Sequence, residues 1–160
     1  MRNIKGLTIF EVLVVLGILA IVSVFVVPNF VSWRSDVKIR GAANNLKGDL
    51  EMAKARAIRE NNWVAVMFNA NGYTVFIDNG SGGGIAGDWI RQGSELQLKA
   101  REMPSGVTLD IPGMTFTNKR TRFNGRGHAG VLGKAVLKND KGESMIITVN
   151  RLEINLEKGS

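Results

Sequence analysis

At 160 residues and 17.4 kDa the chain has room for one domain and one additional element, not for two full domains. With no Cys and one His it has no disulfide framework, no thiol nucleophile, no Cys/His zinc site and little material for a histidine-dependent triad. The net charge of +7 and the mean hydropathy of +0.02 average two unlike parts. Between Leu7 and Trp33 the sole charge is Glu11, and every other charge lies at Arg2, at Lys5 or from Arg34 onward.

A short basic leader, Met1 to Gly6, precedes an apolar run from Leu7 to Val27. As helix the run spans about 31 Å, which matches a hydrocarbon core of about 30 Å. Three readings compete: a cleaved secretory signal, a permanent anchor, or something between them. The end of the run, Phe25-Val26-Val27-Pro28-Asn29-Phe30, lacks a small-x-small site, which argues against cleavage after it. An anchor accounts for the length and puts Arg2 and Lys5 on the cytoplasmic side. It does not account for Glu11, since a carboxylate in hydrocarbon costs about 2.5–3.5 kcal/mol or more unless it is paired or protonated.

The segment Lys5-Gly6-Leu7-Thr8-Ile9-Phe10-Glu11 resembles the class III signal of type IV prepilins and type II secretion pseudopilins. The resemblance implies that a prepilin peptidase cuts between Gly6 and Leu7 and methylates the new amine of Leu7. Leu7 departs from the more usual phenylalanine or methionine. Glu11 then becomes the fifth residue of the mature chain, and in the family it pairs with the N-terminal amine of the adjacent subunit. Such a pairing neutralises two costly groups only in the correct register, so it checks docking during assembly.

Pro28 lacks an N–H and clashes with the carbonyl four residues back, so a kink or a locally melted turn is expected there. Helical periodicity resumes beyond it. Ile39, Ala42, Ala43, Leu46, Leu50, Ala53 and Ala57 recur at spacings of three and four, with charges between them. One helix from Leu7 to about Glu60 is expected, roughly 80 Å long, its first half a stalk and its second half laid on a sheet. The other reading is a transmembrane helix with a separate helix after Pro28. Strand patterns follow at Trp63–Asn69 and Tyr73–Ile77, joined by a hairpin at Ala70-Asn71-Gly72. After a Gly-rich loop from Asp78 to Asp88, further strands are expected at Leu96–Arg101, Val107–Ile111, Met114–Thr117, Val131–Leu137, Ser144–Val149 and Leu152–Leu156. One long helix followed by six to eight short strands is an α+β arrangement.

The hairpin running into Asp78, the Gly-rich loop, Asp88-Trp89-Ile90-Arg91 and Phe123-Asn124-Gly125-Arg126-Gly127 resemble the H-type pseudopilin/FimT-like (GspH/FimT) branch. That branch includes the minor pseudopilin of type II secretion and minor pilins of type IV pili. It implies a pilin-like fold in which two packed antiparallel sheets sit on the C-terminal half of the long helix. The expected organisation is a leader over 1–6, a transmembrane and assembly helix over 7–33, and a periplasmic globular domain over 34–160 that includes the amphipathic half of the helix, 34–60.

Other candidate sites are weaker. The Gly-rich loop lacks the Gly-Lys-Ser/Thr ending of a phosphate-binding loop and reads as a mobile surface loop. Asp78, Asn79 and Asp88 offer oxygens to Ca²⁺, yet their spacing is not that of an EF-hand and two acids rarely suffice. His128 has no partner at metal-ligand spacing. The pairs Glu95/Glu102 and Asp49/Glu51 read as surface acids. No catalytic, metal or cofactor constellation is expected, and the chain reads as no enzyme.

The cations Lys119, Arg120, Arg122 and Arg126 cluster near His128, and without Arg2 and Lys5 the net charge is still +5. Such a cluster suits phosphate backbones, a solvated loop or an acidic neighbouring subunit. Some FimT-like minor pilins bind DNA through a Gly-Arg-x-Arg motif. Here Gly125-Arg126-Gly127-His128 ends in His, and Asn150-Arg151-Leu152-Glu153 begins with Asn and ends in an acid, so neither keeps the motif.

The resulting expectation is a minor pilin or pseudopilin held as a single-pass protein of the bacterial inner membrane, its domain periplasmic. It joins other (pseudo)pilins and the inner-membrane assembly platform in a type II secretion pseudopilus or type IV pilus, in a tip or priming role. The alternative is a DNA-binding minor pilin for natural transformation, using Lys119, Arg120, Arg122, Arg126 and Arg151.

Overall fold

The structure is a computed structural model and describes residues 8–159, apart from the side chains of 25–29 and 31. The chain divides into two units, Met1–Arg34 and Ser35–Ser160. Helix α1, Ile9–Glu60, contributes its first part to one unit and the remainder to the other.

In the first unit the described side chains from Thr8 to Val24 are exposed. Among the described residues no helix is long and apolar enough to cross a membrane. The apolar run expected to do so, Leu7 to Val27, includes Leu7 and the side chains at 25–27, which lie outside the described residues. The cleavage site at Gly6 and Leu7 lies outside the described residues. Helical backbone continues through position 28, so the chain does not leave the helix there. A proline removes one hydrogen bond from a helix without having to end it.

In the second unit α1 turns its apolar stripe inward. Ile39, Ala42, Ala43, Leu46, Leu50, Ala53 and Ala57 are all buried, as their spacing predicts. The helix ends at Asn61, whose φ of 47° supplies the left-handed residue that closes a helix C-terminus.

Eight strands follow: β1 Val64–Asn69, β2 Gly72–Ile77, β3 Gln97–Glu102, β4 Val107–Leu109, β5 Arg120–Phe123, β6 Gly133–Asn139, β7 Ser144–Val149 and β8 Ile154–Lys158. They form two antiparallel four-stranded sheets, β3-β2-β1-β5 and β4-β6-β7-β8. The α+β arrangement with two antiparallel sheets is therefore as expected. Alternation along the strands sends Val64, Val66, Phe68, Tyr73 and Val75 of the first sheet, and Ala135, Leu137, Ile147 and Val149 of the second, into one cluster with the helical stripe.

Two strand expectations are corrected. Met114–Thr117 is not a strand. Phe116 is buried and stacks on Phe68 with ring centroids 5.3 Å apart, and a 3-10 turn, Thr117–Lys119, follows with positive φ at Asn118 and Lys119. Conversely, the cationic segment at Arg120 is strand β5, paired with β1 through Arg122↔Ala65 and Arg120↔Met67. Its short alternation of Arg, Thr, Arg and Phe buries Thr121 and Phe123 and leaves both arginines on the other face.

Candidate functional site

At the N-terminus of α1, Thr8 and Glu11 form a reciprocal cap. The Thr8 N–H donates to Glu11 Oε2 at 3.0 Å, the Thr8 hydroxyl donates to the same oxygen at 3.1 Å, and the Glu11 N–H donates to Thr8 Oγ1 at 3.3 Å. This is a capping box, and its Thr-x-x-Glu spacing was visible in the sequence. The family resemblance implies a partner for Glu11 on an adjacent subunit; within the chain its partner is Thr8, one turn back.

The Gly-rich segment between β2 and β3 is anchored by two buried carboxylates. Asp78 accepts from the N–H groups of Gly87 at 2.7 Å and Trp89 at 3.1 Å. Glu95 accepts from Gly80 N–H at 2.8 Å and Gln92 N–H at 2.9 Å. Both side chains are buried, so Glu95 is not the surface acid that the sequence suggested. Hydrogen bonds from backbone amides satisfy a buried carboxylate that has no ion-pair partner. The side-chain oxygens weighed for Ca²⁺ are engaged within this segment. Asn79 accepts from Ser81 N–H, and Asp88 accepts from Ile90 N–H and from Gln92 Nε2. Among the described residues no group of three His, Cys, Asp or Glu is placed to hold a metal.

The segment is fastened to the first sheet by Arg122. Its Nη1 donates to the Gly87 carbonyl at 2.7 Å, and the guanidinium lies 3.9 Å from the Trp63 ring centroid and 4.0 Å from that of Trp89. Burial lowers the Arg122 pKa, while the Asp78 charge acts the other way. Its Nε is buried without a hydrogen-bond partner among the described residues. Stacking on two indoles therefore supplies much of what solvation has lost. Arg120 lies 5.2 Å from the Trp89 centroid. Trp89 itself has a φ of 71°, a strained backbone for a bulky residue, held by Asp78 and by this stacking.

The cations grouped by the sequence thus separate. Arg120 and Arg122 are engaged by Trp63 and Trp89, and exposed Lys119 ends the 3-10 turn. Arg126 sits in the turn at 124–128, where Asn124 Oδ1 accepts from the N–H groups of Arg126 and His128. Arg151 lies in the neighbouring turn, its carbonyl accepting from Ala129 N–H at 3.1 Å. Arg126 also lines an open groove of about 310 Å³ with Asn61, Asn62, Trp63, Asn124 and Gly125.

A further polar cluster ties α1 to the first sheet. Asp49 Oδ2 accepts from the Tyr73 hydroxyl at 2.6 Å and from Arg101 Nε at 2.9 Å. Asp49 is therefore a tertiary partner rather than a free surface acid. Burial and the Asp49 carboxylate raise the Tyr73 phenol above its ordinary value, and the hydrogen bond to Asp49 raises Arg101.

A long helix carrying two antiparallel sheets is the pseudopilin class of fold. The structure is similar to that of the minor pseudopilin EpsH from the Type 2 Secretion System of Vibrio cholerae, with a TM-score of 0.55 and 12% identity. The match covers 77% of this chain and 97% of that chain, and at such identity the likeness is one of fold. Among curated proteins no relative matches. Residues 42–152 match the family described as Type II transport protein GspH, and the chain belongs to that family.

Proposed function

We propose that the protein is a minor pseudopilin, a structural rather than catalytic subunit of a type II secretion pseudopilus. The observation that carries this reading is the GspH family match over 42–152, supported by the capped helix start at Thr8–Glu11 directly after the Gly6-Leu7 junction. In this reading prepilin peptidase cleaves between Gly6 and Leu7 and methylates the Leu7 amine. The apolar helix over 7–33 anchors the chain in the inner membrane with the domain in the periplasm. At the assembly platform the helix then passes from lipid into the filament beside other pseudopilins. Lipid and neighbouring helices are similarly apolar, so packing and a Glu11–amine pairing set the register. Pro28 gives the helix a place to bend, and in this reading the subunit works at the tip, where assembly begins.

Mass spectrometry of the mature N-terminus, with and without prepilin peptidase, tests the pathway. A chain beginning at methylated Leu7 only when the peptidase is present is the expected result. An intact Met1, or a cut beyond Val27, would overturn the filament reading.

A second reading, DNA binding, is favoured by one observation: the turns carrying Arg126 and Arg151 lie side by side. It rests on these two rather than on Arg120 and Arg122, whose guanidiniums cover indoles. Charge reversal at Arg126 and Arg151 should then abolish DNA retardation by a folded protein and flatten its salt dependence. Retardation unchanged by the reversal removes this reading.

A further inference from the structure

The C-terminal end of α1 and the two turns against it form a continuous surface with an unusual composition. Lys54 and Ile58 stand one turn apart on the helix, and Lys54 Nζ donates to the Leu152 carbonyl. Gly127 packs closely on Ile58 and Lys54: a Cβ there would lie 2.8 Å from Ile58 Cδ1 and 3.3 Å from Lys54 Cε. The hydrogen bond from Ala129 N–H to the Arg151 carbonyl joins the second turn to the first. On this surface Ile58 and Leu152 are 49% and 58% exposed. Arg126 and Arg151 are exposed beside them and enter no ion pair among the described residues. Of the nearby acids, Glu60 is held by Arg56 and Arg59, and Glu153 is exposed.

We propose that this end of the domain docks an extended acidic segment of a partner protein, with apolar side chains placed on Ile58 and Leu152 and carboxylates on Arg126 and Arg151. Apolar residues ringed by cations are the anatomy of a protein interface. The adjoining groove is lined by Asn61 and Arg126 among others, and an Asn carboxamide can both donate to and accept from a peptide backbone. A second copy of this chain meeting the surface with the same face is a poor occupant, because it brings the same cations to the contact. Nucleic acid suits the arginines but gains nothing from Ile58 and Leu152. The inference concerns the surface alone and stands whether or not the protein serves in secretion.

The test uses the full chain in detergent micelles and three fluorescent probes: a peptide of alternating glutamate and leucine, its lysine counterpart, and a DNA duplex of similar charge. Anisotropy is read at physiological salt with binding to empty micelles subtracted. Saturable binding of the acidic peptide is expected, weakened about tenfold or more in R126E/R151E and about fivefold in I58S/L152S. The R126E/R151E protein should instead take up the lysine peptide. R126Q/R151Q serves in its place if circular dichroism shows the reversal variant unfolded, with the same loss of the acidic peptide expected. Absence of saturable peptide binding overturns the proposal, as does binding indifferent to both double substitutions. Preference for DNA with no response to I58S/L152S overturns it in favour of a nucleic-acid surface.

Discussion

At the scale of single residues, the most informative side chains are those whose partners lie far away in sequence. Tyr73 is the chain's one tyrosine, and its hydroxyl donates to Asp49 on α1. Burial and that carboxylate hold the phenol neutral above its ordinary value of 10.0. The neutral form thus contributes stability that is fully present below the unfolded pKa and is lost as pH rises through the folded one. A spectrophotometric alkaline titration should show tyrosinate only well above pH 10 while the domain stays folded. Tyr73→Phe should cost about 1 kcal/mol at neutral pH and remove this alkaline loss of stability. Tyrosinate absorbance rising at the ordinary value would contradict the geometry. Thr8 is a different case, because its cap on Glu11 is local and is written in the sequence as Thr-x-x-Glu.

At the scale of elements, the helical stripe and most strands were legible because each rests on a periodicity within a few residues. The hairpin at Ala70-Asn71-Gly72, which joins β1 to β2, was legible for the same reason. Strand β5 was not, since four residues rich in arginine have weak strand character until β1 pairs with them. The Gly-rich loop from Asp78 to Asp88 shows in addition anchors that no local pattern announces. Its glycines suggested mobility, yet Asp78 and Glu95 each bind two backbone amides. Asp78→Ala should lower stability by about 1–3 kcal/mol. It should also open the chain to trypsin at Arg91, whose Nε now donates to the Glu95 carbonyl. Limited proteolysis before and after the substitution measures this, and an equally resistant Arg91 would show that the carboxylate does not hold the segment.

At the scale of the whole molecule, the Ser35–Ser160 unit is organised around a helical stripe shared with both sheets. Leu46 has no exposed area. Leu46→Ala should therefore cost about 2.7–5.0 kcal/mol, read by denaturant unfolding, because the surrounding elements cannot all collapse into the space. A loss below about 1 kcal/mol would mean that helix and sheets are less firmly joined than their burial indicates. The basic character of the chain is a property of this scale as well. Several of its acids are engaged, Asp78 and Glu95 by amides, Asp49 and Asp110 by cations, while Arg126 and Arg151 are exposed at one end beside a single exposed acid, Glu153. By itself the sequence determined the apolar run, the capped helix, its buried stripe and the α+β class, because these follow from spacings within one element. Which arginines stack on indoles, which acids bind amides and which turns meet was decided only by the tertiary structure. Those outcomes depend on contacts that reach outside one element, from Asp78 with Gly87 to Arg122 with Gly87 and Asp49 with Arg101, which no local pattern encodes.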